Sequence, residues 1–433
     1  MVGDWQEEYK RKFISAEQAA NMVKSGDSVV FTPGREAFAV GLAIAARKEE
    51  LKSVSVFVPH PGYDFGWYDD GWQDSFNITI AMPTATCQEA MDARRCDFTP
   101  LPIASGLIEK PDILLTEVSP PDEKGFCSFG QSLWNKKKQI REGKLVIAEV
   151  NERLIRTYGD NFIHISEIDY FVEHISSGAG VATGTLAGRA KKEPPPYLRD
   201  IAGYVSELIE DGDTIQIGVG RTTEPLVMLG MLDGKRDLGM HSEATPPGII
   251  TLVKEGAING SRKTINRGKV IVTSLGGGSK EEMEWASNNP LFELVDVDYL
   301  EDISVIAAHD NMVAINNALA IQLDGAIGAE SIGRRQLSAA GGQTAFVVGA
   351  LMSKGGRAIT VLPSKSRDIS RIVATFEPGT VVTIPRNLAD YVVTEYGIAH
   401  LRGKPLKERA RELIAVAHPD FRADLRKEAA ELF

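Results

Sequence analysis

The sequence predicts an α/β protein: two duplicated open α/β domains with mostly parallel sheets. Three observations carry this expectation. A helical stretch, a short β-rich run and a glycine turn follow one another near the N-terminus, in the order a parallel sheet requires. The same unit returns in the second half, with Gly212 in the place of Gly26, Gly220 in that of Gly34 and Arg221 in that of Arg35. A run of three prolines, Pro194-Pro195-Pro196, continues neither a helix nor a central strand and separates the two copies. With 433 residues and 43% hydrophobic content, the chain is long enough for more than one core. Two domains are expected, over residues 1–190 and 198–433, with the joint near Lys191-Lys192-Glu193 and the prolines.

Ser15-Ala16-Glu17 opens the first helix, whose apolar positions are Ala19, Ala20, Met22 and Val23. Gly26-Asp27 ends it, and Ser28-Val29-Val30-Phe31 is the first strand of the unit. Thr32-Pro33-Gly34-Arg35 then turns into a helix from Ala37 to Arg47. In the second half, Val205 to Ile209 is helical, Asp211-Gly212-Asp213 stops it, and Thr214 to Ile217 is the strand. The turn Gly218-Val219-Gly220-Arg221 leads into a helical stretch from Pro225 to Leu232. Two more pairs support duplication: Pro111 to Leu115 through Gly125 with Asp302 to Ile306 through Gly325, and Ile168 to Glu173 with Ala389 to Glu395. Chance similarity between two unrelated α/β domains is the competing explanation.

A net charge of -11 argues against a nucleic-acid or anionic-membrane surface, which needs a concentrated basic face. Cys87, Cys96 and Cys127 have no CxxC spacing, which fits neither a disulfide framework nor a structural zinc site. The seven histidines form no HExxH-like cluster, so no metal is expected. The acidic start Met1 to Glu8 lacks the apolar core of a signal peptide, and no apolar run approaches the ~20 residues that span a bilayer. A soluble, cytoplasmic protein is expected, as a homo-oligomer, dimer or tetramer.

The chemistry points to Gly239-Met240-His241-Ser242-Glu243-Ala244-Thr245-Pro246-Pro247-Gly248. An apolar approach leads to one carboxylate and then to Pro-Pro-Gly, so Glu243 stands where a strand ends and a tight turn begins. A solvated glutamate at a strand end is the bland alternative. In the first half the corresponding run is Val56-Phe57-Val58-Pro59-His60-Pro61, with no acid near the equivalent position. Gly218 to Thr223 follows a strand, so its backbone amides can face an anionic group. A plain tight turn explains the glycines equally well. A dinucleotide fingerprint, with Glu243 on a ribose, fails at the third glycine, which is Thr223. Further glycine loops lie at Gly276-Gly277-Gly278, Gly341-Gly342 and Gly355-Gly356, and Asn316-Asn317 supplies amides that need partners.

With Leu238 to Glu243, Ala314-Ile315-Asn316, Gly341-Gly342-Gln343, Ser353-Lys354-Gly355-Gly356, Tyr391 to Gly403 and Ala417 to Arg422, the chain resembles the acetyl-CoA hydrolase/transferase family over nearly its whole length. The likeness is to its butyryl-CoA:acetate and 4-hydroxybutyrate CoA-transferases. The resemblance implies Glu243 as covalent nucleophile and Gly218, Val219, Gly220, Arg221 and Thr222 as the coenzyme A loop. It also implies that Asn316 lies in the site and that Gly341 and Gly342 lie beside the thioester. The implied substrates are an acyl-CoA and a small carboxylic acid, with no permanently bound cofactor. The chain departs from the family at three places: Arg221-Thr222-Thr223-Glu224 delays the proline to Pro225, Thr245-Pro246-Pro247-Gly248 replaces an apolar-Ser-Asp-Gly run, and Ala345 replaces an aspartate after the Gly-Gly-Gln loop. These changes keep open a hydrolase, in which water takes the second step, and a coenzyme A-binding protein without turnover. Tyr63, Phe65, Trp67, Tyr68 and Trp72 crowd one segment of the first half, as an acyl pocket or as a hydrophobic plug.

Overall fold

The computed structural model describes residues 5–100, 110–176 and 193–433. Lys191, Lys192 and the expected boundary at residue 190 lie outside the described residues. The chain forms two compact units, and the first takes residues from both sides of the proline segment. Thr273–Leu275 and Met283–Asp298 belong to the first unit, and Gly276–Glu282 and Tyr299–Phe433 to the second. The fold class is the one the sequence predicts.

In the first unit the strands are β1 (Phe13–Ile14), β2 (Ser28–Phe31), β3 (Val54–Val58), β4 (Phe76–Ile80), β5 (Asp97–Phe98), β6 (Ile113–Val118), β7 (Val146–Val150) and β8 (Tyr170–Glu173). They form one sheet in the order β1-β8-β7-β6-β2-β3-β4-β5, with every pairing parallel. Every residue of β6 and β7 is buried, as expected of parallel strands covered on both faces. Strand Tyr158–Gly159 of this unit pairs in parallel with Phe292–Leu294, which arrives from far along the chain.

The second unit holds β9 (Thr214–Ile217), β10 (Gly239–Ala244), the first three residues of β11 (Val270–Ser274), β12 (Met312–Asn317), β13 (Arg357–Val361), β14 (Tyr391–Thr394) and β15 (Gly397–His400). Their order is β15-β14-β13-β12-β9-β10-β11; only the β14–β15 hairpin is recorded as antiparallel among these pairings. The run β14-β13-β12-β9-β10-β11 repeats β8-β7-β6-β2-β3-β4 of the first unit.

Two hydrogen bonds repeat with it. Asp27 Oδ2 accepts from Lys24 N at 2.8 Å, as Asp213 Oδ2 does from Glu210 N at 2.7 Å. The preceding glycines, Gly26 and Gly212, have φ of 85° and 87°, the left-handed region where glycine is at ease. Asp169 Oδ2 accepts from Val146 N at 2.8 Å, as Asp390 Oδ2 does from Ala358 N at 3.0 Å. These carboxylates close corresponding strand starts in the two halves.

Two expected elements differ. Ile303–Ala307 is a helix, so the partner of Ile113 to Leu115 is β12 rather than the segment from Asp302 to Ile306. Asp302 decides this, because its side chain caps the helix by accepting from Ser304 N at 2.7 Å. The stretch from Pro225 to Leu232 is not a regular helix: only Glu224–Leu226 forms a 3-10 turn, and Gly230 at φ 93° bends the chain away.

The aromatic segment is core rather than pocket. Trp67 is 1% exposed, with ring centroids 4.6 Å from Phe65, 5.9 Å from Phe31 and 5.9 Å from Phe76. Trp67→Ala is expected to cost about 3–5 kcal/mol of stability through the cavity it leaves. The denaturant midpoint checks this; an unchanged midpoint with an altered ranking of acyl substrates would restore the pocket.

Candidate active site

The site is built on the second unit. Glu243 is the penultimate residue of β10, and the chain turns after it through Thr245 to Gly248, whose φ is 94°. Three contacts fix this strand end. Ser242 Oγ accepts from Ile217 N at 3.2 Å, tying β10 to β9. Thr245 Oγ1 accepts from Gly276 N at 2.8 Å and donates to Gly276 O at 2.9 Å. A Cβ on Gly277 would come within 2.5 Å of Pro247 N, so this glycine loop is required by its packing on the Pro-Pro turn.

Beside Glu243, β10 carries a buried polar layer. His241 Nε2 and Leu300 O are 2.8 Å apart, which makes Nε2 the donor. Burial, with Lys263 nearby, lowers the His241 pKa to about 3, so the ring is neutral. Lys263 crosses β10 where Gly239 leaves room, and its Nζ donates to Met240 O at 2.8 Å and Lys269 O at 3.1 Å. His309 packs on His241 with centroids 4.8 Å apart, and burial lowers its pKa to about 2.

Glu243 is partly buried. Burial raises its carboxyl pKa above the ordinary value, against hydrogen bonds from the Glu301 side chain and from the backbone N–H of Gly342. Gly342 is the N-cap of helix Gln343–Met352, so the positive end of that helix dipole lies at the carboxyl. A Cβ on Gly342 would stand 2.7 Å from Glu301 Oε1 and 3.1 Å from Glu243 Cδ. The absence of a side chain is therefore a condition for bringing both carboxyls against this backbone. Gly341 precedes it at φ 52°, and Gln343 Nε2 anchors the loop by donating to Asn317 O at 3.4 Å.

The structure thus brings Glu243 and Gly342 into contact. The β9–β10 register, Thr214 with Gly239 and Ile215 with Met240, carries Gly218 level with Glu243 at the end of the neighbouring strand. Asn316 forms a reciprocal amide pair with Gln216, at 3.0 and 3.1 Å. Cβ atoms on Gly218 and Gly220 would overlap Asn316 Oδ1 and Asn317 Oδ1 respectively. Both glycines are explained by these amides. Val219 and Arg221 are exposed and Thr222 partly so. Gly355 and Gly356 instead form the turn after helix Gln343–Met352 and take no part in the Glu243 environment. In the first unit Ser28 pairs with Ser55, as Thr214 does with Gly239, so Pro59 stands where Glu243 stands.

Sequence reasoning missed Glu301, Lys263 and His309. Each comes from a separate segment, and none lies in a motif around Glu243. Among the described residues no group of three or more His, Cys, Asp or Glu is arranged to hold a metal ion.

Models of the acetyl-CoA hydrolase/transferase N-terminal and C-terminal domains match residues 2–179 and 278–429. The chain is 40% identical over 448 residues to the 4-hydroxybutyrate coenzyme A transferase of Clostridium kluyveri, covering 99% of this chain and 100% of that one. It is 36% identical over 440 residues to the succinyl-CoA:cyclohexane-1-carboxylate CoA transferase of Geobacter metallireducens, covering 99% of this chain and 97% of that one. The crystal structure of RipA from Yersinia pestis matches with a TM-score of 0.89 at 30% identity, covering 99% of each chain.

Proposed function

The chain belongs to the acetyl-CoA hydrolase/transferase family, and we propose that it is a CoA-transferase working through a glutamyl-CoA thioester on Glu243. One observation carries the reading: a partly buried carboxyl at the end of β10 meets the Gly342 N–H at a helix N-terminus. In the ionised state this carboxyl is a desolvated nucleophile held in place by its hydrogen bonds.

Glu243 attacks the carbonyl of the acyl-CoA, and the C–S bond breaks to give a mixed anhydride and CoA thiolate. The thiolate then attacks Glu243 Cδ, the anhydride C–O bond breaks, and the first carboxylate leaves. The incoming acid reverses both steps. Bonds of similar energy are exchanged, so the chain needs neither ATP nor a metal in this scheme. The coenzyme A loop is the stretch from Gly218 to Thr222, with Val219, Arg221 and Thr222 presenting its exposed groups. Because Gly218 and Gly220 are held by the Asn316 and Asn317 amides, substitutions at the three other positions report on binding with less effect on folding.

The substrate class is a short-chain carboxylic acid and its CoA ester. The two relatives above are named for a linear hydroxy acid and a cyclic acid, so both kinds belong in the screen. Incubation with acyl-CoA, borohydride reduction and peptide mass analysis should find an alcohol at Glu243; an unmodified Glu243 despite turnover sinks the mechanism. Free thiol should appear slowly and CoA transfer should depend on added acid. Thiol release at one rate with and without acid would identify a hydrolase.

A further inference from the structure

We propose that Glu301 is a second catalytic carboxyl, which in its protonated form joins the Gly342 N–H as an oxyanion site for the enzyme's own Glu243 carbonyl. The inference rests on the covalent reading of Glu243 given above. Its ground is geometric. Both carboxyls crowd one point of the backbone, where a Cβ on Gly342 would stand 2.7 Å from Glu301 Oε1 and 3.1 Å from Glu243 Cδ, and two carboxyls so placed hold a proton between them. Gly342 touches both, and Glu301 is 7% exposed, so water does not compete for that proton. The residue before Glu301 is fixed to the nucleophile strand by the His241–Leu300 bond, two residues before Glu243 on the same face of β10.

In the proposed path Glu243 Cδ becomes tetrahedral twice: when CoA sulfur attacks the anhydride, and when the incoming carboxylate attacks the thioester. Each time the carbonyl electron pair moves onto the Glu243 oxygen and returns as the C–O or C–S bond breaks. The Glu301 O–H and Gly342 N–H both donate to that oxygen, and the proton stays on Glu301 throughout. Without Glu301 the oxygen loses one of these two donors.

The titratable groups on the surrounding elements are His241 of β10, His309 before β12, Lys263 behind β10, and Tyr299 and Asp302 on Glu301's own segment. His241 and His309 are held neutral by burial, and Lys263 is bonded to backbone carbonyls. The active form then carries one proton on the carboxyl pair. Lowering the pH adds a second and quenches the nucleophile; raising it removes the shared proton, and with it the donor.

The test is the pH profile of kcat for the wild type, Glu301→Gln and Glu301→Ala, run beside borohydride trapping. Glutamine keeps a donor that does not ionise, so Glu301→Gln is expected to lose the alkaline limb and to stay within about 10-fold of wild type at the optimum. Glu301→Ala is expected to lose about 10²–10³-fold in kcat, the effect of one oxyanion donor, while Glu243 still traps. A Glu301→Gln enzyme with the wild-type alkaline limb, or a Glu301→Ala enzyme with wild-type kcat, overturns the inference. Turnover without a label on Glu243 in the wild type would instead remove the covalent reading beneath it.

Discussion

Glu243→Asp is expected to fold normally and to lose on the order of 10²-fold or more in kcat, equivalent to about 2.7 kcal/mol. Glu243→Gln is expected to fall to background. Aspartate keeps the charge but withdraws the carboxyl by one methylene, away from the Gly342 N–H and Glu301 that orient it. β10 cannot advance to compensate, because Ser242 is bonded to Ile217 and Thr245 to Gly276 on either side of the residue. Glutamine keeps the shape and removes the proposed nucleophile, so its loss measures chemistry rather than positioning. Single-turnover rates with a saturating acyl-CoA check both. Near-wild-type rates for Glu243→Asp would show that the carboxyl is not held at attack distance.

Gly342→Ala is expected to give the second largest loss, about 10²-fold in kcat, with little change in stability. Its backbone, at φ -76°, accepts alanine without strain, so the added methyl acts alone. That methyl meets Glu301 Cδ at 2.9 Å and Glu243 Cδ at 3.1 Å, and one of the two carboxyls must move. Equal KM values with a reduced kcat would place the damage in the chemical steps. A Gly342→Ala enzyme within threefold of wild type would show that the pair tolerates the displacement.

The strand-turn-helix unit was legible because its signals are local. Ser15 caps the first helix in reciprocal bonds with Gln18, and Gly26-Asp27 and Gly212-Asp213 end their helices by the same turn. The match of Asp302 to Ile306 with Pro111 to Leu115 failed because it rested on similar apolar runs, while a single capping bond from Asp302 commits its segment to a helix. Glu243 stands out as a candidate from its place between an apolar approach and a proline turn. Glu301 does not, because its partner is distant in sequence and one glycine without a side chain brings the two together. The aromatic segment was visible as a cluster, but Phe31 and Phe76, which make it core, lie on β2 and β4, which only the sheet order sets on either side of β3.

The strand Phe292–Leu294 has a consequence for biosynthesis. It pairs with the two-residue strand Tyr158–Gly159, outside the eight-stranded N-terminal sheet, and a Cβ on Gly159 would overlap the Leu294 backbone, so the first unit includes a piece of chain made long after the rest of it. Ribosomes add about 5–20 residues per second, and Tyr158–Gly159 therefore waits several seconds for this partner after the N-terminal sheet has left the exit tunnel. During this interval the nascent protein exposes an unpaired strand, the kind of surface that chaperones hold and that aggregates recruit. A stop codon placed at the proline segment is expected to release a fragment in which Tyr158–Gly159 stays unpaired.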